Sequence, residues 1–369
     1  MDAPPRVTPA MVAAPAVRQQ ILNILLAWGM EAEMAGTTAG LMAETDLLGV
    51  DSHGISMLPV YDPKVRDGRI RLTERPRVVR DAPGFALIDA GAGLGHPASA
   101  MAMNLAVDKA MGGGVAVVGV RNSHHFGAAG VYARLASARG AIGMVTTATQ
   151  GVAMVPPGGA MPILGTNPIA FAAPARRNRP FVLDMATTTV AAGKVKVYNL
   201  NERPMPEGWV VDGDGRPVTD AAEGNGIVRD RPEGGLTPLG GTLESGAHKG
   251  YGLAAMVHIL GGTLVGSSFS PIRKRTQGPA DPDDLGHFFL ALDPNLFREP
   301  GAFEDDLDAV IDELHAVKPA DPSRPVLVAG DPEETARETR LRDGIPVPPA
   351  LDRQIRDICA RSGAAYVMA

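Results

Sequence analysis

Residues 85–127 read FALIDAGAGLGHPASAMAMNLAVDKAMGGGVAVVGVRNSHHFG. The apolar run 85–90 predicts a strand, the glycine-rich segment after it a turn, residues 98–111 an Ala/Met helix, and 115–120 a second strand. Strand, helix and strand in that order read as a β-α-β unit, so the chain is α/β or α+β. The turn contains Gly93-Leu94-Gly95-His96-Pro97-Ala98, a loose form of the dinucleotide fingerprint. No acidic residue follows the second strand, which ends Val118-Gly119-Val120-Arg121-Asn122. The turn therefore reads better as a tight cap with Pro97 near the helix start.

Working outward, the spacing predicts helices over 16–28, closed by Gly29, and over 31–47. Strands are expected at 142–147, 168–173 and 181–183, with helices at 128–139 and 188–198. Residues 201–247 are crowded with Gly, Pro and Asp and are expected to be turns and loops. An apolar helix after His248, a strand at 287–292, charged helices at 303–317 and 331–343, a Pro-rich joint at 346–349 and a last helix complete the reading.

The composition bounds function. The 369 residues are 45% apolar and 21% charged, a globular balance with room for two or three domains. A net charge of −6 without a Lys/Arg block argues against nucleic acid. Residues 250–272 carry no Asp, Glu, Lys or Arg, but their glycines, Ser pair and His258 fit a buried soluble helix better than a membrane span. The N-terminal 16 residues lack the order of a signal peptide and read as a frayed tail. The single cysteine, Cys359, cannot close an internal disulfide, so a cytoplasmic protein is expected.

Three of the eight histidines lie in two glycine-flanked motifs, Asp51-Ser52-His53-Gly54 and Ser123-His124-His125-Phe126-Gly127. Imidazole exchanges protons near neutral pH, and glycine beside it admits a ligand. A hydrolytic triad of Ser52, His53 and Asp184 is weak, because neighbours in an extended segment point to opposite faces and no G-x-S-x-G elbow occurs. A metal site recruiting His53, His124, His125 and Asp184 lacks ligand spacing, so no metal is expected. His124 reads as facing away from the pocket with local hydrogen bonds. Asp184 precedes an expected helix and could cap it, leaving the N–H groups of Met185, Ala186 and Thr187 for an anion.

Six segments in order, DSHGISMLPVY (51–61), NSHHFGAAGVYA (122–133), LGTNPIAFAAP (164–174), VLDMATT (182–188), HKGYGLAAMVHILGG (248–262) and LGHFFLALDP (285–294), resemble the malate/L-lactate dehydrogenase family of the non-Rossmann type. That family also includes ureidoglycolate and sulfolactate dehydrogenases and cyclic-imine reductases. The resemblance implies a non-Rossmann NAD(P)-binding fold, a largely antiparallel central sheet flanked by helices, and a homodimer with active sites between subunits. It implies a helical dimerisation or cap region (1–75 and 296–369), a substrate-side region (76–122 and 266–295) and a cofactor-binding domain (123–265).

The implied reaction passes a hydride between NAD or NADP and C2 of a small 2-hydroxy or 2-oxo acid; a cyclic-imine reductase, a protein that has kept the fold without catalysis, and a metal-dependent hydrolase or lyase are the alternatives. His53 would be the acid/base, with Ser52 and Asp184 in a relay, and His125 matches the acid/base of the ureidoglycolate branch. Phe126, Gly127, Ala128, Ala129, Asp184, Met185, Ala186 and Lys249 would hold the cofactor, with residues 330–334 touching it from the far end of the chain. Thr166 would meet the substrate. Many members carry an arginine for the substrate carboxylate where this chain has Met57, so that group must be met elsewhere; Arg121 and Lys194 lie near the right motifs, and Met57 could line an apolar pocket.

Overall fold

Helices dominate the start of the chain in the computed structural model, which describes residues 9–268 and 277–368. A short strand, β1 (Ala10–Val12), leads into α1 (Ala14–Ala27) and α2 (Ala32–Leu47); α3 (Leu58–Arg66) follows the first histidine motif. In α1 the buried residues Val17, Ile21, Ile24 and Leu25 recur at helical spacing, and Gly29 ends the run at φ +91°. They pack with Met42 of α2 and Tyr61 of α3 in one core.

The sheet begins with β2 (Arg77–Ala82) and β3 (Phe85–Asp89). Helix α4 (Gly95–Gly113) then carries the chain to β4 (Val115–Ser123), which pairs parallel to β3, so the expected β-α-β unit is present. Next come α5 (Gly130–Ser137), β5 (Ile142–Thr147), β6 (Ile169–Ala173), β7 (Phe181–Met185) and α6 (Ala192–Leu200). After an inserted segment, α8 (Ala247–His258) precedes β11 (Leu285–Leu292). The seven strands run β2-β3-β4-β11-β5-β6-β7, and every pair except β3–β4 is antiparallel. Alanines of α4 and α5 lie against this sheet with Phe289 and Tyr132.

The glycine-rich turn ahead of α4 serves packing. Gly95 N–H donates to the His125 carbonyl (3.1 Å), and a Cβ on Gly95 would lie 2.5 Å from the His124 carbonyl oxygen. The helix start is thus filled by the second histidine motif, in keeping with the cap reading.

Residues 201–247 depart from expectation. They hold β8 (Val210–Val211), β9 (Pro217–Val218), α7 (Ala221–Asp230) and β10 (Gly235–Leu236), around a small core of Val195, Met205, Trp209, Ile227 and Leu236. Asp220 caps α7 by accepting from Glu223 N–H (2.7 Å), a capping signal that outweighs Gly224 and Gly226. Gly224 is a packing glycine, since a Cβ there would lie 2.3 Å from the Met205 methyl.

The N-terminal tail also departs from its expected fraying, because β1 pairs antiparallel with β12 (Ile345–Val347), converting the Pro-rich joint into a strand. Its first eight residues lie outside the described residues. The chain closes with α9 (Ala302–Ala316), α10 (Asp331–Asp343) and α11 (Pro349–Ser362). The uncharged stretch 250–272 continues α8 into a π-helical turn at Ile259–Thr263, and its last four residues lie outside the described residues. Among the described residues no helix is long and apolar enough to cross a membrane.

Candidate active site

The first histidine motif is a turn, so the opposite-face argument for an extended segment does not apply. His53 N–H donates to the Val50 carbonyl (3.0 Å), and the Ser52 hydroxyl reaches His53 Nδ1 at 2.7 Å. Gly54 rests on the buried carboxyl of Asp46, where a Cβ would come within 1.9 Å, and Ile55 N–H donates to Asp46 Oδ2 (2.8 Å). From α10, Arg340 clamps the same turn through the Asp46 carbonyl (2.6 Å) and the Asp51 carboxylate. A distant helix therefore holds His53 in place.

Burial, reinforced by Asp51 and opposed by the Ile55 amide, pushes the Asp46 carboxyl up to about 8. The folded protein thus keeps a proton that the unfolded chain releases near 3.8. Stability from this group is full below that value and falls as pH rises toward 8. Asp46→Asn is expected to flatten that slope and to raise stability at pH 8 by on the order of 5 kcal/mol at most. Melting curves of both proteins between pH 5 and 9 check this; parallel curves would refute it.

The second motif connects β4 to α5. Tyr61 of α3 reaches His125 Nδ1 at 2.6 Å, and Gly127 N–H donates to the same nitrogen at 3.3 Å. An amide can only donate, so Nδ1 is the acceptor and neutral His125 carries its proton on Nε2. The rings of His53 and His125 stack with centroids 5.5 Å apart. Burial lowers the pKa of both imidazoles, and for His125 the neighbouring His53, His96, His124 and Lys64 deepen the shift. Beneath them, His287 stacks on Phe126 (4.5 Å) and bonds Thr147 and Ser123.

His124 was expected to face away with local bonds. Its local bond exists, Nδ1 accepting from His125 N–H (2.8 Å), but the residue also lines the cleft, and its Nε2 meets Asp283. Lys64 donates to the same Asp283 carboxylate (2.8 Å) and to Gln150 (3.0 Å). Burial pushes Asp283 up, but the hydrogen bonds and charges of His124 and Lys64 outweigh it and hold the carboxyl below the usual range.

These groups line one cleft of about 570 Å³, a volume suited to small ligands. Ser52, His53, Met57, His125, Phe126, Gly127, Ala128, Ala129, Thr166, Asp184, Met185 and Ala186 all lie on its wall, as does Glu333 in the first turn of α10. Lys249 does not: it is exposed at the start of α8. Arg121 pairs with Asp89 (3.2 Å) and Lys194 covers the Trp209 ring, both off the cleft. Tyr61, Lys64 and Gln150 were missed in the sequence, although Met57, Val60, Tyr61 and Lys64 follow the 3.6-residue period of one helix face.

Asp184 has a different role from the expected cap. It belongs to β7, and α6 starts eight residues later. Its Oδ2 instead accepts from Gly130 N–H (2.7 Å), the start of α5, with no hydrogen bond to His53 among those of the described residues. Thr187 N–H is taken by the Thr166 carbonyl (2.9 Å), so it is not free for an anion. Burial moves the Asp184 carboxyl up to about 6, against the pull of the Gly130 amide.

The cleft fits a dinucleotide. Gly127 to Gly130, with Ala191 and Ala192, present little side-chain bulk, and Arg134 Nη2 is buried without a hydrogen-bond partner. Small residues and an orphaned guanidinium nitrogen suit a phosphate-bearing group close to the backbone. Among the described residues no three His, Cys, Asp or Glu side chains gather as a metal site.

Paired half-buried imidazoles beside a small-residue cradle, on a mostly antiparallel sheet, are the setting of a hydroxyacid dehydrogenase that uses a nicotinamide cofactor without a Rossmann fingerprint. The chain belongs to the malate/L-lactate dehydrogenase family, whose model matches residues 12–356. It is 37% identical to malate dehydrogenase of Pyrococcus horikoshii over 93% of each chain. Malate dehydrogenase from Entamoeba histolytica superposes with a TM-score of 0.91 at 28% identity, covering 97% of this chain and 99% of that one. The delta1-piperideine-2-carboxylate reductase from Pseudomonas syringae gives a TM-score of 0.82 at 29% identity, covering 95% and 99%.

Proposed function

We propose that this protein moves a hydride between nicotinamide and C2 of a small 2-hydroxy or 2-oxo acid, with His53 as the proton-transferring acid/base. The observation that carries this is the unequal setting of the two stacked rings. Ser52 can donate to or accept from His53 Nδ1, so that imidazole can take either protonation state. His125 Nδ1 is occupied by Tyr61 and Gly127, which keeps its proton on Nε2 as a neutral donor for developing negative charge. When bound, the nicotinamide supplies or accepts the hydride. Gly127 to Gly130 and Arg134 hold it, while Thr166 and Lys64 bind the substrate.

NAD and NADP are both candidates. A homodimer in the cytoplasm is part of the same reading, as is the helical cap, substrate-side and cofactor-binding division of the chain. Reduction of a cyclic imine is the second reading, favoured by the likeness to the piperideine carboxylate reductase.

Loss of reduced-nicotinamide absorbance, followed with both cofactors against 2-oxo acids and cyclic imines, tests the proposal. Because burial lowers His53, its neutral form dominates at pH 7. We expect kcat/KM for reduction to fall as pH rises through an apparent pKa below 6.5, and for oxidation to rise through the same value. A reduction rate that climbs with pH over this range would exclude His53 as the acid.

A further inference from the structure

Helix α10 has no buried residue along its whole length, so charge rather than core packing fastens it to the molecule. Glu333, Arg337 and Arg340 follow the i, i+4, i+7 spacing of one helix face, with Glu334 beside them. Glu334 pairs with Arg134 of α5, and Arg337 donates to Glu44 of α2 (2.7 Å). Arg340 donates to both carboxylate oxygens of Asp51 and to the Asp46 carbonyl (2.6 Å). Ala336 lies against Gly49, where a Cβ would come within 3.2 Å of it. On the outer face Arg179 reaches Thr335 (3.2 Å) and Glu338.

The two ends of this helix meet the two halves of the site. In the first turn Glu333 lines the cleft and Glu334 holds Arg134, which lines it as well. In the last turn Arg340 grips the turn that carries Ser52 and His53 without itself lying on the cleft wall. Glu334 and Arg340 stand about 9 Å apart along the axis. A helix this short moves as one body, so a shift of its first turn reaches its last.

Arg134 divides its guanidinium between two directions. Nη1 donates to Glu334, whereas Nη2 is buried without a hydrogen-bond partner. A dinucleotide phosphate in the cradle satisfies Nη2 without displacing Glu334, and so fixes the guanidinium from both sides. The first turn of α10 is then pinned, and Arg340 with it. Without that phosphate the hold on the catalytic turn rests on partly solvated pairs, the Asp51 side chain being 58% exposed, and such pairs are weak.

Resting on the reading that the cradle takes a nicotinamide dinucleotide, we infer that α10 couples occupancy of the cradle to the catalytic turn, with Arg340 as the positioning residue that holds His53. Cofactor binding orders the turn that transfers the proton. Because such coupling is reciprocal, the grip of Arg340 on the turn also strengthens cofactor binding from outside the cleft.

Hydrogen exchange of the full chain, with and without saturating NADH and, in parallel, NADPH, tests this. In the native protein the better-binding nicotinamide is expected to slow exchange at residues 50–57 at least about fivefold. Glu334→Gln, which removes a charge and keeps the shape, and Arg340→Met are each expected to lose most of that slowing while residues 124–130 stay protected. Arg340→Lys keeps a cation on the turn and is expected to retain part of it. Nicotinamide fluorescence is expected to give Arg340→Met a dissociation constant about three- to tenfold above the native value. Melting curves establish that each variant is folded; if Arg340→Met does not fold, Glu334→Gln and Arg340→Lys carry the comparison. No slowing at 50–57 in the native protein, equal slowing in Glu334→Gln, or native affinity in folded Arg340→Met overturns the coupling and leaves the cofactor reading intact. Protection of neither segment and no fluorescence change with either nicotinamide overturns the cofactor reading, and the coupling with it.

Discussion

Replacing His53 with alanine is expected to cut turnover at least about a hundredfold while binding of reduced nicotinamide stays nearly unchanged. The ring delivers a proton as negative charge forms on the substrate oxygen, so its loss is felt in the transition state far more than in cofactor binding. The wall assigned to the cofactor lies on the β4–α5 loop and β7, on elements separate in sequence from the turn that carries His53. His53→Gln keeps much of the side-chain volume and guards against a packing explanation. Nicotinamide fluorescence reports binding, and single-turnover kinetics report the chemical step. Wild-type turnover in His53→Ala would leave His125 as the acid/base and reduce the Ser52–His53 pair to a turn-stabilising contact.

The two histidine motifs and the β-α-β unit were legible because their signals are local: apolar runs of strand length, an Ala/Met helix between them, and glycines against imidazoles. The other side of the cleft was less visible. Tyr61 and Lys64 lie on a helix containing Pro59 and Pro63, and the prolines obscure the period that places Met57, Val60, Tyr61 and Lys64 on one face. Asp184 looked like the cap of its own following helix. Strand pairing of β6 with β7 holds it instead beside Gly130, where a Cβ would come within 2.8 Å of its Oδ2. Helix α7 was hidden by glycines whose reason, the approach of Met205, is a tertiary contact. Asp283 carries no local signal at all. It reaches Lys64 and His124 because Leu285 of β11 pairs with Ser123 at the end of β4.

That register makes Asp283 the position where substitution should cost most in stability. Its side chain is 1% exposed and, among the described residues, accepts from Lys64 of α3, from His124 after β4 and from Gln150 after β5 (2.7 Å). Asp283→Ala leaves a largely buried ammonium, 18% exposed, without its counter-charge, and removes an acceptor from the amide and imidazole as well. Breaking a buried pair from one side costs about 3–5 kcal/mol, much of it the penalty for the stranded charge. Lys64→Met in the same background removes that charge, so the double variant should recover a large part of the loss. Chemical denaturation of the two single variants and the double variant measures the coupling. Strict additivity would mean that Lys64 and Asp283 do not stabilise one another. Recovery of stability in the double variant without recovery of substrate affinity is the pattern expected if Lys64 both balances Asp283 and binds the substrate.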